Sequence, residues 1–555
     1  MRATRPTRIS DAAVTATNVI LPPPSLPVPP TASPISIKAL TEYLHGYPQA
    51  AYIIDGFTYG FSIAFEGTDS PLSSNNAISV LTNHNIVAQK LSKELSLNRI
   101  SGPYKTPPFP NFKCSPLALR PKQQPGKYRL LHNLSYPYDE NSVNRNIPQE
   151  AATVKYQSLQ DAINLIHQHL PAPYLAKSDI ADAFRLIPVH PSQHHLLGFS
   201  FAGQYYFDKM LPMGAATSCS IFETISDAIQ WILANKFCLT STVKVLDDFL
   251  FVQPTKQRTL RDLNTFTKLC AQLNIPLAPH KTEGPATTLT FLGIELDTVA
   301  MQARLPSDKL TSYIETLHSS ISNPILTLRD LRSMIGQLQF ATKVIPSGRP
   351  FLRRLYNLTI GRKHPFHKIH IPPSTVQDLY TWSMFLQDFN GITLMAPRLP
   401  HLSSLCSDAS KSGYGAVFGS KWFQGLWPPS WTELNIAVLE LYPIFMMISI
   451  FAQQLSNTAL TFYTDNMAVV AIVNKQTSKC NIIMQIIRPL VLILLRHNIT
   501  LKCKHVPGTA NTLCDALSRQ VATPALLQKF RMSLDPVPIP TQLLPENFNL
   551  SFEQH

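Results

Sequence analysis

Three aspartates in two apolar segments could hold a metal. In YLAKSDIADAFRLIPVH (174–190), alternation through Leu175, Lys177 and Asp179 predicts a strand that delivers Asp179 at its end. In STVKVLDDFLFVQ (241–253), apolar β-formers flank Asp247 and Asp248 on both sides, the pattern of a hairpin with two carboxylates at its tip. Adjacent acids inside an apolar strand pair repel each other and resist desolvation. A divalent cation removes both penalties, and hard oxygen ligands suit Mg²⁺. Three acids from two segments could hold a metal pair about 3.5–4 Å apart, an arrangement that serves in-line phosphoryl or nucleotidyl transfer. The plain alternative for an isolated Asp-Asp is a turn whose acids cap backbone amides.

A second set of acids lies further along. LSSLCSDASKSGYGAVF (402–418) reads as strand, turn and strand, with Asp408 ending the first. Glu440 falls in NIAVLELYPIF, on a predicted buried helix. Asp465 ends a strand in LTFYTDN, and Asp515 follows a loop in HVPGTANTLCDALSR (505–519). Each alone would most often be a cap or a surface residue. Four acids beside apolar segments are harder to dismiss.

The elements that must position these acids sit in a chain of 555 residues, enough for about three to five domains. Hydrophobic residues make up 45%, which supports packed cores. Lys and Arg outnumber Asp and Glu by 48 to 34, a net charge of +14 on only 15% charged residues. That excess points to a polyanion, with nucleic acid first and a membrane surface second. Residues 1–36 include LPPPSLPVPPTASP and read as a disordered leader. Residues 37–110 are expected to be mostly helical, and alternating short apolar runs and helical segments follow to about 300. Thr327 and Asp330 resemble a capping box, with Leu328, Leu331, Ile335 and Leu338 on one helical face. Arg349, Arg353, Arg354, Arg362 and Lys363 form a basic segment, either a phosphate grip or a solvated linker. A second alternating domain spans about 400–520. The apolar stretches Leu441–Ala452 and Pro489–Leu495 fall short of the ~20 residues of a spanning helix, so no membrane partner is expected. No secretory signal is visible, and eight cysteines without a CxxC pair fit a reducing, intracellular setting in cytoplasm or nucleus.

SPLALRPKQQPGKYRLLHNLSYP (115–137), LPMGAATSCSIFE (211–223), APHKTEG (278–284) and TFLGIEL (290–296) occur in order around the first acids. With them the chain resembles a retroelement reverse transcriptase. The resemblance implies an α+β right-hand polymerase, with fingers and palm over 111–300 and a thumb or connection over 301–398. It implies that Asp179 and Asp247 ligate two Mg²⁺, with Mn²⁺ as a substitute, that Asp248 contributes more weakly, and that the Ile180 carbonyl completes a shell. Arg129 with Lys122 or Lys127 would hold the incoming deoxynucleoside triphosphate. Asp182, Ala183 and Phe184 complete the first motif, and Phe184 would exclude a ribose 2′-OH; a core aromatic is the alternative. Lys281 would protonate the departing pyrophosphate, or is a solvated lysine. Gly214 would let the backbone approach primer and template, or is a plain turn glycine. Met213, His132-Asn133 and Val245 depart from the commoner family residues without removing a ligand.

The order Asp408, Glu440, Asp465, Asp515, with TDN and HVPGxxN, resembles ribonuclease H. This implies an α/β RNase H-like domain over 399–520, followed by a tail at 521–555, that hydrolyses RNA paired to DNA with two Mg²⁺. His505 matches a mobile histidine near that site, or is a loop histidine, and Asn511 would order its loop. LHNLSYPYDENSVN and IIDGFTYGFSIAFEG resemble the DIRS-type, Ngaro-like retrotransposons that integrate with a tyrosine recombinase. No DTG or DSG protease motif, HHCC–DDE integrase or recombinase signature is seen, so the recombinase is expected as a separate partner or in a portion absent from this chain. The expected partners are an RNA template, a DNA or RNA primer, an RNA–DNA hybrid and deoxynucleotides. Two other readings remain: a decayed or domesticated nucleic-acid-binding protein, and a DNA-templated viral polymerase.

Overall fold

The computed structural model describes residues 33–121, 126–388, 390–393, 405–456, 458–497, 499–548 and 550. The chain divides into two compact units. One holds residues 1–157, 178–249 and 262–282, and the other 158–177, 250–261 and 283–555.

The strands of the first three hundred residues are β1 (Ile100–Tyr104), β2 (Leu117–Pro121), β3 (Tyr128–His132), β4 (Tyr174–Asp179), β5 (Gly198–Phe201), β6 (Gln204–Asp208), β7 (Thr242–Val245), β8 (Asp248–Gln253), β9 (Glu283–Ala286), β10 (Thr288–Phe291) and β11 (Ile294–Asp297). β2 and β3 form an antiparallel hairpin with Arg120 opposite Arg129. β1, β6 and β5 form an antiparallel sheet in that order. The sheet that carries the first acids has the order β7-β8-β4-β9. Its support is the helix Ser218–Phe237, which buries Ile221, Phe222, Ile225, Ile229, Ile232 and Leu233. Those positions recur at three- and four-residue spacing, so one stripe of the helix faces the core.

Residues 33–61 brace the first unit. The Ser36 amide donates to the Leu273 carbonyl at 3.0 Å, and the Phe61 amide to the Pro188 carbonyl at 2.8 Å. Within residues 37–110, expected to be mostly helical, the helices are Ile37–Tyr43, Ala50–Tyr59, Ile78–Leu81 and His84–Ser96, and the rest is loop apart from β1, which follows the last helix.

In the second unit, β10 and β11 continue into β12 (Gln302–Arg304). β13 (Ile325–Thr327) pairs with β14 (Lys368–His370), and β15 (Ile392–Thr393) joins β12. The helix Leu328–Ala341 starts where its sequence signals a start. Thr327 caps it by accepting from the Asp330 amide at 3.2 Å, and Leu328, Leu331, Ile335 and Leu338 are buried.

The remaining strands are β16 (Leu405–Ala409), β17 (Gly413–Phe418), β18 (Lys421–Leu426), β19 (Ala459–Thr464) and β20 (Thr500–His505). They form one mixed sheet, β18-β17-β16-β19-β20, antiparallel across β18, β17 and β16 and parallel across β16, β19 and β20. The parallel pairs need crossovers, supplied by the helices Ile436–Phe451, Met467–Lys475 and Asn481–Arg496. The apolar stretches read from the sequence lie in two of these helices, buried in the domain core. No helix among the described residues is long and apolar enough to cross a membrane.

Candidate active sites

The first site forms where β4 ends and the β7–β8 turn begins. Asp179 is the last residue of β4 and is buried, and Asp248 opens β8. The Ile180 amide donates to the Asp247 carbonyl at 3.0 Å, which ties the two segments together directly at the acids. Burial and repulsion by Asp179 push the Asp247 carboxyl up. Burial, Asp247 and Asp179 push Asp248 to about 6. Lys281 supplies a counter-charge, its Nζ 2.6 Å from an Asp179 oxygen. Burial alone would lower its pKa, but that contact raises it. Asp247 and Asp248 are therefore under electrostatic stress that nearby cations relieve only in part.

The turn itself is strained. Leu246 lies in the left-handed region at φ 53°, a conformation that costs a branched side chain about 1–2 kcal/mol. Gly214 of LPMG shows a different tightness. A Cβ built there would lie 1.8 Å from the His132 carbonyl oxygen, so its close approach is to the protein's own β3. Asn144 fastens the same loop. Its amide donates to the Gly214 carbonyl at 2.8 Å, and its oxygen accepts from the Ala216 amide at 2.9 Å.

His132 is buried. It meets Asp208 at 3.0 Å, and Asp208 accepts from Arg185 at 2.7 Å. Arg129 and Lys127 are exposed on the hairpin, and Arg129 is close enough to act on the Asp247 charge. Lys122 lies outside the described residues. Phe184 packs edge-on against Phe222 at 5.6 Å, beside buried Ala183. Asp182 is the exception within its motif. It is exposed and bonds to Arg99 at 2.9 Å, so it stabilises the loop after β4 and does not join the acid cluster.

At the second site, Asp408, Glu440 and Asp465 offer carboxylate oxygens within 4.8 Å of one another, the one such group among the described residues. β16 positions Asp408, the helix Ile436–Phe451 positions Glu440, and Asp465 follows β19. One Glu440 oxygen is buried without a hydrogen-bond partner. Burial, then Asp408 and Asp465, push its carboxyl up to about 9. Asp408 is raised by burial, moderated by a 2.6 Å hydrogen bond from the Ser518 hydroxyl. Asp515, on the helix Thr512–Ser518, stands outside the tight trio and pairs with Arg519 at 2.7 Å. His505 ends β20 opposite Thr464, one residue before Asp465. Asn511 is buried and donates to the Ser407 carbonyl at 3.0 Å, which fixes the loop against the strand that carries Asp408.

Sequence reasoning missed the supporting groups Glu223, Lys244, Asn144 and Ser518. Lys244 alone left a trace, as a charge inside the apolar run TVKVL.

Residues 120–296 match the family described as Reverse transcriptase (RNA-dependent DNA polymerase). The chain is 26% identical over 401 residues to the Gag-Pro-Pol polyprotein of Human T-cell leukemia virus 3 (strain 2026ND), covering 67% of this chain and 25% of that protein. It is 22% identical over 241 residues to the Pro-Pol polyprotein of Simian foamy virus type 1, covering 43% and 19%. The chain thus spans about a quarter or less of the length of these relatives. Among solved structures, a foamy viral protease-reverse transcriptase in complex with RNA/DNA hybrid superposes with a TM-score of 0.50 at 15% identity, covering 80% of this chain and 56% of that one. The fold is that of a reverse transcriptase polymerase with mixed α and β content, as the sequence led us to expect. Residues 120–296 form a reverse transcriptase domain of the kind found in retroviral and retroelement polyproteins.

Proposed function

We propose that this chain is an RNA-directed DNA polymerase that also hydrolyses the RNA strand of an RNA–DNA hybrid. The observation that carries the reading is the stress on both acid sites. Each gathers hard oxygen donors, each holds carboxyls raised by burial and mutual repulsion, and the second leaves a buried Glu440 oxygen unpartnered. Both donor sets fit Mg²⁺. Asp179, the Ile180 carbonyl, Asp247 and Asp248 would hold it at the first site, and Asp408, Glu440, Asp465 and Asp515 at the second. When bound, the ions would offset the carboxylate charge and stabilise the attacking and leaving oxygens of phosphoryl transfer.

The protein's own groups supply the rest. Arg129 and Lys127 on the exposed hairpin bind the triphosphate, and Lys281 holds a proton for the departing pyrophosphate. Phe184 shapes the sugar pocket so that a deoxyribose fits. At the second site, Ser518 and Asn511 orient Asp408 and its strand, and His505 assists release of product. The five-stranded sheet with its parallel crossovers supports the RNase H-like reading of 399–520, and the remaining domain limits are proposed as read from sequence. The hybrid in the foamy viral complex and the basic excess of this chain support RNA–DNA hybrid, template, primer and deoxynucleotides as partners.

The finer assignment, to a DIRS-type, Ngaro-like element working inside the cell with a separate tyrosine recombinase, rests on LHNLSYPYDENSVN and IIDGFTYGFSIAFEG. The test is primer extension on an RNA template beside cleavage of labelled hybrid, both with Mg²⁺. Asp247→Asn/Asp248→Asn is expected to abolish extension alone, and Asp465→Asn cleavage alone. Wild-type protein that binds hybrid but neither extends nor cuts it would favour a binding-only protein.

A further inference from the structure

Leu246 sits between Val245 at the end of β7 and the acid pair, with its backbone in the left-handed region. Both of its backbone polar groups are held by the helix Ser218–Phe237. The Leu246 amide donates to Glu223 Oε2 at 2.9 Å, and the Leu246 carbonyl accepts from the Ser226 hydroxyl at 2.7 Å. The other Glu223 oxygen meets Lys244 Nζ at 2.7 Å, and Lys244 also reaches Asp227 at 2.6 Å. The Lys244 side chain is 1% exposed and that of Glu223 6%. The Lys244 amide donates to Gln157 Oε1 at 2.7 Å, which fixes the strand itself.

We propose that Glu223, Lys244 and Ser226 form a buried clamp that sets the position of Asp247 and Asp248, with Glu223 as a positioning residue for nucleotidyl transfer. The inference rests on the polymerase reading above. A buried ion pair is a poor way to gain stability, because well-packed apolar residues of similar volume do as well or better. What this one supplies is direction. One Glu223 oxygen is committed to Lys244 in β7 and the other to the turn, so the helix, the strand and the turn cannot shift independently. Left-handed backbone at a branched residue persists only where its surroundings over-determine it, and here two hydrogen bonds do so. The acids follow directly in sequence, so movement of Leu246 is passed to Asp247. Small misplacements of reacting groups cost large factors in rate.

The experiment compares Ser226→Ala, Glu223→Ala and the double variant Glu223→Gln/Lys244→Met with wild type. The double variant keeps an oxygen acceptor for the Leu246 amide and leaves no buried charge unpaired. Primer extension gives kcat and the KM for deoxynucleotide, hybrid cleavage reports the second site, and the melting midpoint reports folding. Mn²⁺ affinity is titrated by electron paramagnetic resonance in an Asp465→Asn background, so that the second cluster does not contribute. Ser226→Ala and Glu223→Ala are expected to lower kcat about 10- to 100-fold and weaken Mn²⁺ binding, with KM changed less than about threefold and cleavage unchanged. The double variant is expected to recover most of the rate lost in Glu223→Ala. Variants that fold as wild type and keep both kcat and Mn²⁺ affinity would overturn the clamp. If Glu223→Ala does not fold, Ser226→Ala and the double variant decide. If wild type itself fails to extend a primer, the polymerase reading falls, and unchanged Mn²⁺ affinity in the variants would overturn the clamp separately.

Discussion

Replacing Glu440 by Gln should stabilise the protein in EDTA while abolishing hybrid cleavage. Glu440 is buried at 4% exposure, and its carboxyl is pushed from an ordinary 4.5 up to about 9. A group whose folded pKa is raised binds its proton more tightly folded than unfolded. For this acid the resulting stability is present below about 4.5 and is lost as pH rises, levelling off above about 9. At pH 7 the unfolded chain gains by releasing that proton, a loss of about 3 kcal/mol at 1.36 kcal/mol per unit. Gln has no proton to release and keeps the shape, so it recovers that amount. Relaxation around a buried carboxyl reduces the gain by about half, which leaves a rise of about 3–6 °C in the melting midpoint of a domain this size.

The assay is differential scanning calorimetry at pH 6, 7, 8 and 9, with EDTA and then with Mg²⁺. The advantage of Glu440→Gln in EDTA should grow with pH. Mg²⁺ should stabilise wild type more than the variant, and increasingly so as pH rises, because the cation must displace the Glu440 proton. A variant less stable than wild type in EDTA at pH 8 would refute the reasoning. So would Mg²⁺ shifts equal in the two proteins.

Three further outcomes are expected. Gly214→Ala places a Cβ 1.8 Å from backbone that cannot yield, so it should cost about 1–3 kcal/mol in urea unfolding and depress primer extension. Gly203→Ala, with nothing within 4 Å but φ +74°, should cost only about 1 kcal/mol. Ser518→Ala removes the hydroxyl that steadies ionised Asp408, so the acid limb of the pH–rate profile for hybrid cleavage should move up by about one unit, with primer extension unaffected.

The acids were legible because each contradicts its surroundings. A carboxylate at the end of an apolar strand has few explanations, and Asp179, Asp247, Asp248, Asp408, Glu440 and Asp465 all lie at or beside apolar elements, as their neighbours implied. The Thr327 cap was legible for a local reason, since its hydrogen bond spans only three residues. For Asp182 and Asp515 the partners were not legible: each pairs with an arginine, Arg99 from 83 positions away and Arg519 one helical turn on. Gly214 was recognised as a point of close approach, but what it approaches, the His132 carbonyl, depends on how β3 packs beside LPMG. Glu223 and Lys244, 21 positions apart, meet only because a helix lies against β7.

The two sites also differ in a way that composition alone cannot express. The first has a resident cation, since Lys281 sits against Asp179 and lowers the cost of keeping Asp247 and Asp248 ionised. At the second, Arg519 pairs with Asp515 and eases Asp408, while the charges acting on Glu440 are those of Asp408 and Asp465. Repulsion among buried carboxylates rises as their number grows and their counter-charges fall. Mg²⁺ therefore has more electrostatic stress to relieve at the second cluster than at the first. Its binding should be coupled more strongly to the stability of the 405–520 domain than to that of the palm. At the hairpin acids, Lys281 against Asp179 already offsets part of the charge without a metal. Burial and repulsion raise the carboxyls of Asp408 and Glu440, and a proton or a bound cation would each relieve that stress, so pH and Mg²⁺ would compete at this cluster.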